Sequence, residues 1–182
     1  MNLKTLLGTL WVAGMILSCA ESEPENISEQ LFVAAESGHT DVLDKLLNLG
    51  LAVDTRDACL FTPLMKAALG GHIGTVDYLL GMAADPNLTD KGGYSPLMLA
   101  ASNNHSEIVR ILLEAGAHVD LAEKTMGWTA LIWATKNGHQ ESSNILLEFG
   151  ASKTIQDFSG KSAQDWMSKN SLQEVRRLVM IN

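Results

Sequence analysis

The sequence predicts an all-α repeat solenoid, and three parallel registers predict it. Histidine follows a small or polar residue at Gly38-His39, Gly71-His72, Asn104-His105 and Gly138-His139, at intervals of 33, 33 and 34 residues. "TPLM" at Thr62, "SPLM" at Ser95, "TALI" at Thr129 and "SAQD" at Ser162 recur at 33, 34 and 33. Leucine pairs at Leu46-Leu47, Leu79-Leu80, Leu112-Leu113 and Leu146-Leu147 make the third register. Self-similarity at such a period means stacked supersecondary units, each of which buries its apolar face only against its neighbours.

Each unit reads as helix, turn, helix, loop. In "YSPLMLAASNNH" Ser95 is placed to accept a bond from a free amide at the helix start. Pro96 then takes the first helical position, where its missing N–H costs nothing. Leu97, Ala100 and Ala101 share one face by the i, i+3, i+4 rule, and the small alanines allow the next unit to approach. In "SEIVRILLEAGA" Ile108, Ile111 and Leu112 form the apolar stripe of the second helix. Gly116 stands where a helix ends in a left-handed residue. Gly50 and Gly150 match it, while Ala83 replaces glycine in the second unit and predicts a weaker stop.

A period of 33 with T-P-L and G-H in these places resembles the ankyrin repeat. The resemblance covers about residues 28–182. It implies an N-terminal capping repeat at 28–60, fuller units at 61–93, 94–127 and 128–160, and a C-terminal cap at 161–182. "NSLQEVRRLVM" aligns with "NHSEIVRILLE", placing Leu172 where His105 stands and Arg176 and Arg177 on a solvated face. One departure is plain. The histidine the family carries after T-P-L is Met65, Met98 and Ile132 here, so apolar packing is expected in place of its hydrogen bonds. The longer interval falls between Gly116 and Thr129, with the extra residue expected around Glu123 to Met126.

The first twenty residues read as a targeting segment. Lys4 supplies a positive charge, and Leu6 to Leu17 is a mostly apolar run too short to span a bilayer. "ILSC" resembles the lipobox of bacterial lipoproteins, which implies cleavage before Cys19 and a lipid on its thiol. Residues 1–18 are then a signal peptide and 19–27 an acidic tether. A plain signal peptide cut after "SCA" is the other reading. The expected location is the bacterial periplasm or cell envelope, with the chain lipid-anchored to a membrane.

The chain carries 21 acids against 13 bases. All the acids lie beyond residue 20, leaving twelve bases to face them there. That balance opposes binding to phosphate backbones, so no nucleic-acid partner is expected. No G-x-S-x-G, phosphate-binding loop, H-E-x-x-H or paired-cysteine motif occurs. Equivalent histidines in stacked helices stand roughly 8–10 Å apart, too far to share a zinc ion with bonds of about 2 Å. They are read as fixing the inter-helix turn. Neither an enzyme nor a cofactor or metal site is expected.

The resemblance implies a protein-binding module, working through hairpin tips and the exposed side of the first helices. Its variable positions carry over as Arg56 and Phe61; Thr89, Lys91, Tyr94 and Asn103; Lys124, Met126, Trp128 and Lys136; and Phe158 and Lys161. Phe61, Tyr94 and Trp128 occupy equivalent places before T/S-P/A-L. Either they form a contact ladder along one edge, since aromatics dominate binding hot spots, or each packs over its own hairpin. Trp133 belongs to a helix, so the two tryptophans are expected to be separate. Trp166 is expected to close the last core layer. The chain is expected to be a monomeric envelope adaptor; the alternative is an immunity protein that neutralises a secreted toxic effector such as a phospholipase, its acidity facing a basic toxin.

Overall fold

A computed structural model describes residues 27–168 of the chain. The expected signal peptide, Cys19, most of the expected tether and residues 169–182, with Leu172, Arg176 and Arg177, lie outside the described residues.

The described chain holds eight helices in four antiparallel pairs. The inner row is α1 (Ile27–Glu36), α3 (Pro63–Gly70), α5 (Pro96–Ser102) and α7 (Ala130–Asn137). The outer row is α2 (Thr40–Asn48), α4 (Ile73–Gly81), α6 (Ser106–Glu114) and α8 (Gln140–Glu148). A further helix begins at 163–168, where the C-terminal cap was expected. None of the eight exceeds ten residues. Isolated helices shorter than about 12–15 residues are marginal in water, so stacking must hold them.

Each inner helix packs on the next and on its own outer partner, while outer helices touch one another less. The alanines make this possible. Ala34, Ala35, Ala67, Ala68, Ala100, Ala101 and Ala134 are all buried where inner helices meet. Met65, Met98 and Ile132 are buried too, so apolar packing does fill the place of the family's histidine.

The helix starts follow the sequence. Thr62, Ser95 and Thr129 sit in extended backbone and accept bonds at 3.3 Å from the amides of Met65, Met98 and Ile132. At the C-terminal cap the arrangement reverses. Asp165 accepts from the amide and hydroxyl of Ser162 at 2.7 and 2.8 Å, the carboxylate half of a capping box. Those bonds hold the Asp165 carboxyl below its ordinary value. At the second outer helix's end Ala83 does adopt the left-handed conformation, with φ 63°. Its methyl strains where glycine would not.

Candidate functional site

Three of the four repeated histidines join one unit to the one before. The His72 ring nitrogen bonds the Glu36 carbonyl at 2.8 Å, His105 that of Leu69 at 3.2 Å, and His139 that of Ser102 at 3.1 Å. The expected role in a local turn is therefore extended to a bond between units. At two sites the preceding glycine is required for a related reason. A Cβ on Gly38 would lie 2.5 Å from the His72 ring, and one on Gly71 2.6 Å from the His105 ring. Among the described residues no three metal-ligating side chains converge.

Between the helix pairs the loops rise into hairpin tips, each organised around one carboxylate. Asp57 accepts from the amides of Cys59 and Phe61, Asp90 from that of Tyr94, and Asp157 from those of Ser159 and Lys161. Each tip also closes through a backbone bond from the acid's own amide to the carbonyl of that last residue or its equivalent. The third tip contains the extra residue, within the stretch expected. Its acid is Glu123, one methylene longer than the others. The carboxylate accepts from Thr125 N at 2.5 Å, Met126 N at 2.8 Å and Trp128 N at 3.0 Å, and from the Thr125 hydroxyl. A longer acid thus spans a longer loop. Glu123 is only 2% exposed. Burial pushes its carboxyl up, but the bonds from Thr125, Trp128 and Met126 outweigh that and hold it below the ordinary value. Asp157 behaves alike, its burial outweighed by bonds from Ser159, Lys161 and Trp128.

The tips are also joined to each other. Lys91 N donates to the Cys59 carbonyl at 3.0 Å, Lys124 N to Gly92 at 2.8 Å, and Phe158 N to Met126 at 2.9 Å.

The aromatics correct two expectations. Trp128 is 8% exposed and donates its indole N–H to Asp157 at 3.0 Å. It packs over its hairpin and supports the face; its ring is not open to a partner, because satisfying the indole N–H draws it against the next tip. Trp128 and Trp133 are not separate either. Their rings meet edge to face with centres 4.6 Å apart, and Trp133 meets Tyr94 at 6.0 Å. Tyr94 and Phe61 are half-buried, so no open aromatic ladder runs along the edge. The half-buried Trp166 packs against the core, as expected. Lys136 lies 4.5 Å above the Trp128 ring and 5.7 Å from that of Trp166, while Lys161 stands 5.0 Å from Trp166. Such contacts hold an ammonium in place while its donors stay available.

Arg56, Lys91, Asn103, Lys124 and Lys161 are exposed, and Thr89 and Lys136 are half-buried. The largest apolar exposures on the tips are Phe158 at 74% and Met126 at 48%, on adjoining hairpins. The Phe158 ring lies over Gly127, where a Cβ would come within 2.8 Å of it. Charge is segregated as well. The four outer helices carry seven acids and two bases. On the tips the acids Asp57, Asp90, Glu123 and Asp157 are engaged by their own loops. The bases Lys91, Lys124 and Lys161 point outward, and among the described residues none of them makes an ion pair.

A stack of short helix pairs with one organised row of hairpin tips defines a repeat-protein interaction scaffold. More specifically, the chain belongs to the ankyrin-repeat family: the model for "Ankyrin repeats (3 copies)" matches residues 15–90, 31–123 and 74–157. Ankyrin repeats are generally protein-binding modules, typically without catalysis. No curated protein matches the chain.

Proposed function

We propose that this protein is an exported, lipid-anchored envelope adaptor that binds another protein through the tips and inner helices of its third unit and C-terminal cap. The observation carrying this reading is the pair Phe158 and Met126. They are exposed on neighbouring tips that are joined by a backbone bond; Lys124 and Lys161 stand on the same two tips, and Lys136 lies over the Trp128 ring. An apolar centre with a polar rim is the anatomy of an interface. Its rigid base matters, since a pre-ordered surface loses little entropy on binding.

The immunity alternative took its charge argument from the acidic total. The acidity is concentrated on the outer helices; on the tips the acids are turned into their own loops and Lys91, Lys124 and Lys161 are exposed, so the accessible charges favour carboxylates on a partner and leave the adaptor reading in front. Anchoring rests on the "ILSC" stretch ending at Cys19.

The test is capture from envelope extract by the wild type and by a Phe158→Ser, Met126→Ser variant. Loss of a specific captured protein, with an unchanged melt, is expected; undiminished capture rejects the face. Fatty-acid labelling that survives Cys19→Ser rejects the anchor.

A further inference from the structure

Among the described residues, the hairpin-tip ladder ends at the fourth tip and its seat. In each tip the residue two after the acid offers a carbonyl to the next tip, as Cys59 and Gly92 do; in the longer third tip Met126 does so one place later. The tip glycine is then covered by the next tip's side chain. A Cβ on Gly93 would lie 3.0 Å from Lys124 Cγ, and one on Gly127 would meet the Phe158 ring. In the last tip the equivalent positions are Ser159 and Gly160. Among the described residues, a Cβ on Gly160 would meet nothing within 4 Å and no amide donates to the Ser159 carbonyl. Beside them lies a hollow of about 240 Å³ lined by Gly160, Lys161, Asp165 and Trp166.

We infer that this seat takes an acidic segment of a partner protein that continues the stack, setting a large apolar side chain over Gly160 and donating a backbone N–H to the Ser159 carbonyl. The repeat itself states that geometry. Lys124 and Phe158 show which side chains fill such a seat: a long apolar stem or an aromatic ring. The charge follows from the rim. Lys136 and Lys161 both stand near the Trp166 ring, and Lys124 lies one tip away. Asp165 is the carboxylate at the hollow; Ser162 engages its Oδ2, and the nearby Lys161 charge helps to hold it ionised, so it offsets one of the ammoniums. Two ammoniums converging on one indole attract a partner's carboxylates, a contact that salt weakens. The inference rests on the binding reading above and narrows it to one end of the face.

The test uses the purified full chain and labelled twelve-residue peptides, followed by fluorescence anisotropy. One peptide has a central Phe flanked by glutamates. Its twins replace the glutamates by lysines, the Phe by Ala, or the Phe amide by its N-methyl form. The acidic Phe peptide should bind about tenfold more tightly than the lysine twin, as complementary rims discriminate. The Ala and N-methyl twins should both weaken. Gly160→Asn fills the seat with a residue that tolerates positive φ, and Lys161→Glu reverses the rim; each should reduce affinity about tenfold while the circular-dichroism melt holds. Binding lost with Phe158→Ser but untouched by Gly160→Asn overturns the seat and keeps the wider face. Binding indifferent to both, or no peptide preferred, overturns the seat, while the capture experiment above decides the wider face. A dimer in sedimentation that Gly160→Asn dissolves makes a second copy the occupant and overturns the acidic partner.

Discussion

Glu123 and the extra residue of its loop should behave as one matched pair. Glu123→Asp draws the carboxylate back by one carbon–carbon bond, about 1.5 Å. The bonds to Met126 N at 2.8 Å and Trp128 N at 3.0 Å then stretch beyond hydrogen-bond range. Met126 is exposed and its amide can turn to water, whereas Trp128 is buried. An unsatisfied buried amide costs about 1–3 kcal/mol, so Glu123→Asp should lose about 2 kcal/mol, or roughly 4–8 °C in a domain of this size. Deleting Thr125 alone leaves a long acid in a short loop and should cost about 1–2 kcal/mol through crowding. Together the two changes rebuild the spacing of Asp57, Asp90 and Asp157, each of which meets the residue four places on. The combined variant should therefore recover most of the loss, a coupling of about 2 kcal/mol. Urea unfolding followed by circular dichroism reads all four proteins. A combined variant no more stable than the weaker single change, or Glu123→Asp within about 0.5 kcal/mol of wild type, refutes the matched-length account.

Other consequences are as direct. Leu60 and Ala83 hold φ of 68° and 63°, so Leu60→Gly and Ala83→Gly should each stabilise by about 1 kcal/mol; a loss in either thermal melt contradicts this. The Trp133 indole N–H is enclosed and, among the described residues, meets no acceptor, so Trp133→Phe should leave stability unchanged or improve it. Trp128→Phe removes a donor from buried Asp157 and should cost about 1–2 kcal/mol; equal effects in parallel urea titrations would sink that contrast. The carboxyls of Glu123, Asp157 and Asp165 are held below their ordinary values. Their contribution is fully present above about pH 4–5, where unfolded carboxylates are ionised, and is lost as pH falls through the folded values. Melts from pH 6 to 3 should drop, and Glu123→Gln should flatten part of the drop; parallel curves would contradict the assignment.

The stack was legible because its three registers are functions of spacing, and spacing survives without coordinates. The extra residue was legible for the same reason. The tip acids at Asp57, Asp90, Glu123 and Asp157 recur just as regularly, at 33, 33 and 34, a fourth register in the sequence. What spacing does not carry is contact between non-equivalent positions. Trp128 lies in a tip and Trp133 on a helix, so their edge-to-face contact depends on the angle at which α7 leaves the loop. The same limit hid the burial of Trp128, which is set by Asp157 in the next unit. Aromatic type at Phe61, Tyr94 and Trp128 therefore overstated their exposure, while Phe158, chosen only as a variable position, is the most exposed of the aromatics on the tips.

The most direct measurement is site-specific photocrosslinking in intact cells that produce the protein. A benzophenone side chain replaces Phe158 in one variant and Leu49, equally exposed but on the outer row, in another. The binding-face account predicts one discrete protein adduct from position 158 and none from position 49. An adduct from 49 with none from 158 would contradict it.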